Sequence, residues 1–276
     1  MSFSKILVTG NKGILGSEIV KLLGNRAILF RTDENKRNIV NAKEIDEVMS
    51  NVDAIIHCAA KIPVSNEKIT NYEVNTLGTK LIIEAANRYH VPLLHVSSQA
   101  VYGLPTKLPV DENYCYTGEI DEYATSKLIS EKICIDKSET KLAIMRVSSI
   151  YSEKTLSRNE IIGNFIGQAL NGKIEIYGSG NRVYDFVHVS DVSTVAINLL
   201  GENGIFNVGS GTPTSVNELS AIIHNYIKCE ISHNIKKSNI KGIWLNINKI
   251  KQFISYNPIC LDEGLVLSGI KNFQLN

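Results

Sequence analysis

The sequence has little that marks a disulfide-rich or metal-binding protein. Its cysteines are scattered, are odd in number and form no C-x-x-C pair: Cys58, Cys115, Cys134, Cys229 and Cys260. This pattern argues against a disulfide framework and against a structural zinc site. Because no cluster of His, Cys and Asp has metal-ligand spacing, we expect no metal. Thiols that stay reduced favour a cytoplasmic protein.

Long apolar runs and strong net charge are also missing. No segment reaches about 18 uninterrupted apolar residues, and the first residues lack a signal-peptide pattern, so we expect neither secretion nor membrane spanning. The formal net charge is only +1, which gives no overall field for nucleic acid or an anionic membrane. With 276 residues, 43% of them hydrophobic and 21% charged, the chain is typical of a globular protein.

Short apolar runs alternate with helical patterns through the first two-thirds of the chain. The clearest helical pattern covers Ile69 to Tyr89. The alternation predicts right-handed βαβ units, and therefore an α/β fold with a doubly wound, parallel Rossmann sheet. The runs that fit strands buried on both faces are Lys5 to Thr9, Ala27 to Phe30, Ala54 to Cys58, Leu93 to Val96 and Leu142 to Val147.

A glycine-rich stretch, Thr9-Gly10-Asn11-Lys12-Gly13-Ile14-Leu15-Gly16, lies between the first strand and a helix predicted over 14–23. Glycines at such a place let the backbone approach a pyrophosphate, whose charge the helix N-terminus favours. The strand before and the helix after favour a dinucleotide site over an ordinary tight turn, although the spacing is G-x-x-G-x-x-G. The candidate cofactor contacts here are Gly10, Lys12, Gly13, Ile14, Leu15 and Gly16.

Two charged residues after the second strand bear on the choice of dinucleotide. Arg31 is suited to the 2′-phosphate of NADP, and Asp33 to the 2′-hydroxyl of NAD. Because Arg31 comes first, we expect NADP or NAD with a slight preference for NADP. The alternative is that Arg31 is a solvated loop charge.

After Tyr151 the alternation of strand and helix patterns becomes less regular. Helices are predicted over 161–170, 192–200 and 216–227, and short strands over 174–177 and 186–189. We therefore expect an NAD(P)-binding Rossmann domain over 1–150 and a small α/β substrate-binding lobe over 151–276, some of whose segments return to the sheet. Because no Pro- or Ser-rich linker separates them, we expect the two to pack over a shared cleft.

Three side chains form a candidate proton-transfer set. Tyr123 and Lys127 are four residues apart on a predicted helix, where an ammonium favours the ionised phenol and so tunes it to exchange a proton with an alcohol or ketone. Ser98 follows the fourth predicted strand, where it can hydrogen-bond the same oxygen. A Tyr–Lys pair also occurs by chance on surface helices, and a serine after a strand is often a turn former, so other motifs must decide.

Seven motifs, in one order, resemble those of the extended short-chain dehydrogenase/reductases, in the branch called NAD-dependent epimerase/dehydratase. They are Thr9 to Gly16, Ile56 to Ala60, Asn75 to Thr79, Ser97 to Gly103, Tyr123 to Lys127, Asp185 to Asp191 and Phe206 to Gly209. The resemblance implies an NAD(P)-dependent enzyme in which Ser98, Tyr123 and Lys127 are catalytic. Tyr123 would be the general acid/base, and Lys127 would lower its pKa and hold the nicotinamide ribose. Cofactor contacts would include Ala59, Ala60 and Asn75, whereas we interpret His57 and His188 as packing or strand residues.

The chain departs from that family's pattern at several places. Gln99 and Ala100 stand where the sugar 4,6-dehydratases carry an Asp-Glu pair, and Ala100 stands where the GDP-fucose synthase type has a cysteine, so dehydration and proton abstraction at carbon are not expected. Tyr184 replaces an arginine that grips a nucleotide diphosphate, and Ser149 replaces a common asparagine. The remaining candidate substrate contacts, besides Ser98, are Arg158 and Arg182, either of which can equally be a surface charge.

The resemblance implies hydride transfer at a keto or carbinol carbon of a nucleotide sugar, C4 by family habit, with a 4-keto-sugar reductase slightly preferred over a 4-epimerase. A homodimer formed through the helices of 69–89 and 123–137 is also implied. Two alternatives stay open at this point. One is a non-catalytic NAD(P) sensor of the same fold, and the other is a reductase of a small ketone or aldehyde.

Overall fold

The structure is a computed structural model that describes residues 3–62, 72–116, 120–157, 160–234 and 242–274. The chain divides into two compact units. The first comprises Met1–Gly103, Glu112–Val147 and Val192–Val208, and the second comprises Leu104–Asp111, Ser148–Asp191 and Gly209–Asn276. The roles expected for the two parts, cofactor binding and substrate binding, remain predictions.

The strands alternate with helices along most of the chain. The strands are β1 (Ile6–Thr9), β2 (Ala27–Leu29), β3 (Ala54–His57), β4 (Leu93–Ser98), β5 (Leu142–Val147), β6 (Ser149–Tyr151), β7 (Lys173–Tyr177), β8 (Val183–His188), β9 (Gly204–Val208), β10 (Pro213–Ser215) and β11 (Glu230–Asn234). The helices are α1 (Ile14–Leu23), α2 (Ala42–Met49), α3 (Gly78–Arg88), α4 (Glu122–Lys137), α5 (Ile161–Leu170), α6 (Val189–Leu199), α7 (Val216–Tyr226), α8 (Asn248–Phe253) and α9 (Leu261–Leu267).

The first unit is built on a six-stranded sheet in the order β2-β1-β3-β4-β5-β9, with every neighbouring pair parallel. This confirms the predicted α/β fold with a doubly wound parallel sheet. The chain leaves β1 toward β2 and then crosses to β3 on the other side, so the strand order reverses between β1 and β3. In open α/β sheets, ligands bind beyond the carboxyl ends of the strands at such a switch point.

The predicted strands of this sheet are largely buried, with one exception. Strands β1 and β3 are buried along their whole length, as expected when helices cover both faces of a parallel sheet. The prediction that 27–30 forms a strand buried on both faces is wrong for β2, whose three residues are all partly exposed. The physical reason is position, because β2 pairs only with β1 at the edge of the sheet.

Helix α3 is shorter than the pattern of 69–89 predicted. It begins at Gly78, directly after a π-helical turn over Glu73–Leu77, while residues 63–71 lie outside the described part of the chain. Helix α3 buries Ile82, Ile83, Ala85 and Ala86 in the main apolar core of the unit. Within the described ranges, no helix is both long enough and apolar enough to span a membrane.

Among its described residues, the second unit has two small sheets and its own core. Strands β10 and β6 flank β8, and β11 pairs with β7 in parallel. The core includes Phe165, Ile174, Phe186, Leu219 and Leu265. Helix α7 begins with a capping box, in which Ser215 and Glu218 satisfy each other's backbone N–H groups, so the sequence fixes this helix start locally.

Candidate active site

The loop between β1 and α1 is shaped by close backbone approach. Gly10 has a φ of +66°, and a Cβ there would lie 2.7 Å from the backbone nitrogen of Ala59. A Cβ on Gly16 would lie 2.2 Å from the carbonyl oxygen of Gly10, so α1 starts directly against the loop. Gly13 donates its backbone N–H to the Gly10 carbonyl at 2.8 Å. These contacts admit only glycine at positions 10 and 16, and they leave a backbone-lined cradle that suits a pyrophosphate.

The end of β2 is tied to this glycine loop. The side-chain amide of Asn11 donates to the Arg31 carbonyl at 2.8 Å and accepts from the Arg31 N–H at 3.1 Å. Lys12 forms an ion pair with Asp33 on the surface. Hydrogen bonding to Lys12, with its positive charge, lowers the pKa of the Asp33 carboxyl. The structure therefore joins the glycine loop to the end of β2 through two pairs, Asn11 with Arg31 and Lys12 with Asp33, and leaves the Arg31 side chain exposed. Lys12, Arg31 and Asp33 were predicted as cofactor contacts, whereas Asn11 was not.

Ser98 and Tyr123 meet through their side chains. Ser98 is the last residue of β4, and its Oγ accepts the backbone N–H of Ala100 at 3.2 Å. Tyr123 lies in the first turn of α4, which Asp121 caps by accepting the Ala124 N–H at 2.7 Å. The side chains of Ser98 and Tyr123 are hydrogen-bonded to each other. The strand end and the helix start thus place two hydroxyl groups at one point.

Lys127 lies one turn further along α4 and is 4% exposed. Its Nζ donates to the carbonyl oxygen of Val96 on β4 at 2.7 Å. Burial lowers the pKa of Lys127 to about 8, against an opposing effect of Cys58, Glu131 and Cys134. An ammonium that is this deeply buried and poorly solvated is poised to lose its proton near neutral pH.

The pKa of Tyr123 lies above its usual value. Burial raises it, the hydrogen bond with Ser98 opposes the rise, and Asp121 adds to it. That Lys127 lowers the pKa of Tyr123 remains a prediction. The raised pKa favours a neutral phenol, the form that donates a proton.

Asn75 links the π-helical turn to α4 and to the segment after β3. Its amide donates to Ser126 Oγ at 2.9 Å and to the Lys61 carbonyl at 3.0 Å, and its Oδ1 accepts the Lys61 N–H at 2.8 Å. Ser126 in turn donates to the Tyr123 carbonyl at 2.7 Å. Asn75 is 1% exposed. The structure thus places Asn75 as a brace behind Tyr123, in a π-helical turn of the kind that is frequent at functional sites.

His57 lies at the end of β3 in a fully buried hydrogen-bond chain. Thr79 Oγ1 donates to the Asn75 carbonyl, so His57 Nε2 donates to Thr79 Oγ1 at 3.0 Å and Nδ1 accepts from Thr9 Oγ1 at 2.7 Å. Burial and then Lys127 lower the pKa of His57 to about 3. The side chain is therefore a neutral connection between the glycine loop and the Asn75 turn.

A buried ion pair lies behind the hydroxyl pair. Glu131, one turn beyond Lys127, receives the Arg146 guanidinium at 2.7 to 3.2 Å and the Ser97 hydroxyl. Arg146 also donates to the Tyr102 hydroxyl at 3.1 Å, which donates to Asn207 at 2.7 Å. This network fixes Ser97, and so the strand position of its neighbour Ser98, without exposing a charge.

The candidate substrate residues lie in the second unit, apart from Ser98. Ser149 begins β6 and pairs with Phe186 of β8. The guanidinium of Arg182 lies 4.9 Å from the centre of the Tyr184 ring, which stacks on Phe186 with centres 5.5 Å apart. Arg158 lies outside the described residues. The structure therefore joins Arg182, which directly precedes β8, and Tyr184 of β8 into one stacked pair, and β8 lies beside the strand that Ser149 begins.

Asp185, the first residue of the motif Asp185 to Asp191, is a buried anchor of the second unit. It is 0% exposed, and its carboxylate accepts the backbone N–H groups of Ser210, Gly211 and Leu245 at 2.7 to 3.3 Å. The hydroxyl groups of Ser148 and Ser210 also donate to it. These contacts give Asp185 a structural role, because its carboxylate holds together three chain segments of the second unit.

Residues 6–209 match the NAD dependent epimerase/dehydratase family. The chain belongs to this family. It is 35% identical to the Methanocaldococcus jannaschii protein named "Putative UDP-glucose 4-epimerase", over 97% of this chain and 98% of that one. It is 28% identical to the zebrafish (Danio rerio) protein named UDP-glucuronic acid decarboxylase 1, over 95% of this chain and 71% of that one.

Two solved structures share the fold of this family member. RMD from Pseudomonas aeruginosa, solved with NADPH, has a TM-score of 0.84 and 20% identity over 98% of both chains. The UDP-glucose 4-epimerase of Thermotoga maritima, solved with UDP-glucose, has a TM-score of 0.82 and 24% identity over 98% of both chains. The predicted family and the prediction of an NAD(P)-dependent enzyme of the extended short-chain dehydrogenase/reductase type are confirmed.

Sequence reasoning missed the polar residues behind the site. His95, Ser130 and Glu131 are buried beside Lys127, yet no motif of the sequence analysis included the three as a group. A signal was present, because 122–137 lacks an apolar stripe and places Lys127, Ser130, Glu131 and Cys134 on one helical face. As for metals, the described ranges contain no group of three His, Cys, Asp or Glu side chains that could hold an ion.

Proposed function

We propose that this enzyme reduces the keto group of a nucleotide-activated sugar, at C4, with NADPH as the hydride donor. The observation that carries the proposal is the hydrogen-bonded pair of Ser98 and Tyr123, in which burial keeps the phenol protonated. Reduction of a ketone needs a proton donor at the carbonyl oxygen, and a neutral phenol is such a donor. The names of the relatives, which refer to sugar nucleotides, support the substrate class.

Each residue of the set has a proposed role in this reaction. Bound nicotinamide supplies the hydride. Tyr123 donates its phenolic proton to the substrate oxygen, and Ser98, whose Oγ already accepts the Ala100 N–H, directs its own hydroxyl to that oxygen. Lys127 has one hydrogen-bond acceptor among the described residues, the Val96 carbonyl, which leaves N–H donors for cofactor hydroxyl groups.

Cofactor contacts fit the same proposal. Glycines 10 and 16 form the pyrophosphate cradle with Gly13, Ile14 and Leu15 at the start of α1. Ala59, Ala60 and Asn75 lie around the carboxyl end of β3 and the turn before α3. The first unit is accordingly the proposed cofactor domain and the second the proposed substrate lobe.

The preference for NADP rests on charge at the end of β2. Arg31 is exposed there, and Lys12 engages Asp33, the acid that would otherwise repel a 2′-phosphate. The test is the pair of dissociation constants for NADPH and NADH, measured by fluorescence. Arg31→Ala should weaken NADPH binding about tenfold and leave NADH binding unchanged. Tighter binding of NADH by the wild type would contradict the preference.

Arg182 and Tyr184 are proposed to bind the diphosphate of the substrate. The cation lies against an aromatic ring, and a guanidinium of this kind binds a diphosphate through a bidentate pair of hydrogen bonds. Arg182→Ala should weaken binding of nucleoside diphosphates. An unchanged affinity for nucleoside diphosphates would favour a small ketone or aldehyde as substrate instead.

A 4-epimerase is the second candidate, and the name of the 35% identical relative favours it. The deciding experiment mixes the purified enzyme with nucleotide sugars and with 4-keto nucleotide sugars, with and without NADPH, and follows absorbance and product mass. Loss of NADPH with a gain of two daltons identifies a reductase. An isomer of unchanged mass, formed without added cofactor, identifies an epimerase. The non-catalytic sensor predicts neither product.

We also propose a homodimer formed through α3, α4 and the turn before α3. Large apolar side chains are exposed on these elements, including Tyr72, Leu77 and Ile135. If these side chains form one contiguous surface, such a surface commonly marks an interface. Light scattering of the wild type should give twice the mass of one chain, and Ile135→Asp should shift the protein toward the monomer. A monomeric wild type at micromolar concentration would contradict the proposal.

A further inference from the structure

The interface between β4 and α4 is polar beside Lys127. A helix that packs on a sheet usually buries an apolar stripe. Here the Val96 carbonyl accepts from Lys127 Nζ at 2.7 Å, and the neighbouring ring of His95 is hydrogen-bonded to Ser130 Oγ at 3.0 Å. We call these four residues the β4–α4 seam. Two successive residues of the strand thus hold two residues of the helix that are three positions apart.

The directions of the hydrogen bonds in the seam are fixed. Ser130 Oγ donates to the Lys127 carbonyl at 2.8 Å, so its lone pair must accept from His95 Nε2. His95 is 1% exposed, and its pKa lies well below the usual value because of burial and then the charge of Lys127, which keeps the ring neutral. The neutral ring that donates from Nε2 carries a lone pair on Nδ1.

The Nδ1 lone pair of His95 is buried and, among the described residues, has no hydrogen-bond partner. An unsatisfied buried acceptor costs about 1–3 kcal/mol. A phenylalanine or leucine at this position would fill similar space without that cost. Stability alone therefore does not explain a histidine here, whereas the Nε2–H donor, which neither apolar residue has, does.

The His95 ring also connects the seam to the glycine loop. It stacks on the His57 ring with centres 5.4 Å apart and an angle of 29° between the planes. His57 is hydrogen-bonded to Thr9 at the end of β1, whose Oγ1 also accepts the Ala59 N–H at 3.2 Å. These contacts connect the turn of α4 that carries Lys127, through His95 and His57, to β1, the strand that precedes the glycine loop.

We propose that His95 is a positioning residue for Lys127: through Ser130 it holds the turn of α4 that carries Lys127 against the end of β4. The consequence for turnover rests on the proposed function, since it assumes that Lys127 serves the hydride site. The consequence for the placement of the Lys127 ammonium does not.

The protonation of Lys127 reports on this placement. The ionisable groups that surround it are His57 and Cys58 at the end of β3, His95 on β4, and Glu131 and Cys134 on α4. Burial is the largest cause of its lowered pKa. If the turn of α4 loosens and water reaches Nζ, the pKa of Lys127 must therefore rise from about 8 toward its usual value.

The experiment measures the pKa of Lys127 by NMR in protein labelled with ¹³C-lysine, with the resonance assigned by Lys127→Arg. His95→Phe keeps a ring against His57 but removes the donor, and Ser130→Ala removes the acceptor. Each should raise the pKa of Lys127 by at least about one unit. The double variant should add nothing further, because both changes break one link. His95→Gln, which retains an N–H donor, should restore the wild-type value.

Ile83→Ala on α3 is the matched control, because Ile83 belongs to the apolar core cluster of the same unit, which includes none of the four seam residues. If His95→Phe and Ser130→Ala lower the melting temperature as Ile83→Ala does, but leave the pKa of Lys127 near 8, the seam is only structural and the inference is overturned. If His95→Phe does not fold, Ser130→Ala and His95→Gln give the same decision. If the pKa shifts while the wild type reduces no keto-sugar, the proposed function fails and the positioning role stands.

Discussion

Helices α3 and α4 contact each other in the same compact unit, yet they bury residues of opposite kinds. Helix α3 buries Ile82, Ile83, Ala85 and Ala86, which join the apolar core. The buried residues of α4 include Ser126, Lys127, Ser130 and Glu131, each with a hydrogen-bond partner in β4, β5 or the π-helical turn or within α4 itself. Apolar burial stabilises the fold, whereas buried polar groups gain little net stability and fix geometry instead. The comparison indicates that α3 maintains the unit and α4 builds the site.

Among the variants that test this comparison, Lys127→Met should have the largest effect. Activity should fall at least about a hundredfold, because the ammonium serves the hydride site. The same variant should be more stable at pH 7, by roughly 3 kcal/mol if the whole cost of holding a charged lysine with a pKa near 8 is removed. Urea unfolding and steady-state reduction measure the two effects. A variant that is both less stable and active would contradict the account.

The ion pairs of the two helices also differ in how much they contribute to stability. Glu131 of α4 is 2% exposed and holds the Arg146 guanidinium, so Glu131→Gln leaves a buried charge unpaired and should destabilise by about 3–5 kcal/mol. Arg88 of α3 pairs with Asp46 on the surface, and Arg88→Ala should change the free energy of unfolding by less than about 1 kcal/mol. If urea unfolding shows that Glu131→Gln and Arg88→Ala lower the free energy of unfolding equally, the distinction between α3 and α4 fails.

Ile83→Ala tests the apolar side of the comparison. The side chain is 0% exposed in the core, and truncation should destabilise by about 2–4 kcal/mol through lost burial and a cavity. Turnover per folded molecule should stay within about twofold of the wild type. A large loss of turnover without a loss of folded protein would show that α3 also shapes the site.

Acid should unfold the unit through its buried histidines. The folded-state pKa of His57 is about 3 and that of His95 is also lowered, whereas the unfolded chain binds these protons near pH 6.5. Below pH 6.5 the unfolded state therefore binds more protons, and His57 alone lowers the stability by about 1.4 kcal/mol with each unit toward pH 3. His95 adds a loss in the same direction. Urea unfolding at pH 7, 6 and 5 measures this slope. His95→Phe should reduce the slope, and an unchanged slope would show that His95 does not contribute to the acid sensitivity.

The sequence predicted the architecture because burial patterns in a parallel sheet are strong. Predicted runs at 142–147, 161–170 and 14–23 coincide with β5, α5 and α1. The predicted burial of β2 was wrong, because an apolar run of three or four residues does not reveal whether the strand lies at an edge of the sheet. The motifs also located Ser98 and Tyr123, whose hydrogen bond the structure contains.

The direction of the Tyr123 pKa could not be predicted, because burial is its largest cause and helical spacing alone does not reveal burial. The helical spacing of Tyr123 and Lys127 indicates that they share a face, but not that the Val96 carbonyl takes the ammonium. His95 was missed for a similar reason. Its partner Ser130 is 35 residues away, and only the pairing of β4 with α4 brings the two side chains together.

The most direct test of the account is the single-turnover rate of NADPH oxidation with a 4-keto nucleotide sugar, compared between the wild type and Tyr123→Phe. The variant keeps the ring and its packing and removes only the hydroxyl that meets Ser98. The account predicts that the rate falls by about 10²–10⁴, while the affinity for NADPH and the melting temperature stay close to those of the wild type. Oxidation at the wild-type rate in Tyr123→Phe would contradict the claim that α4 carries the proton donor of a hydride-transfer site.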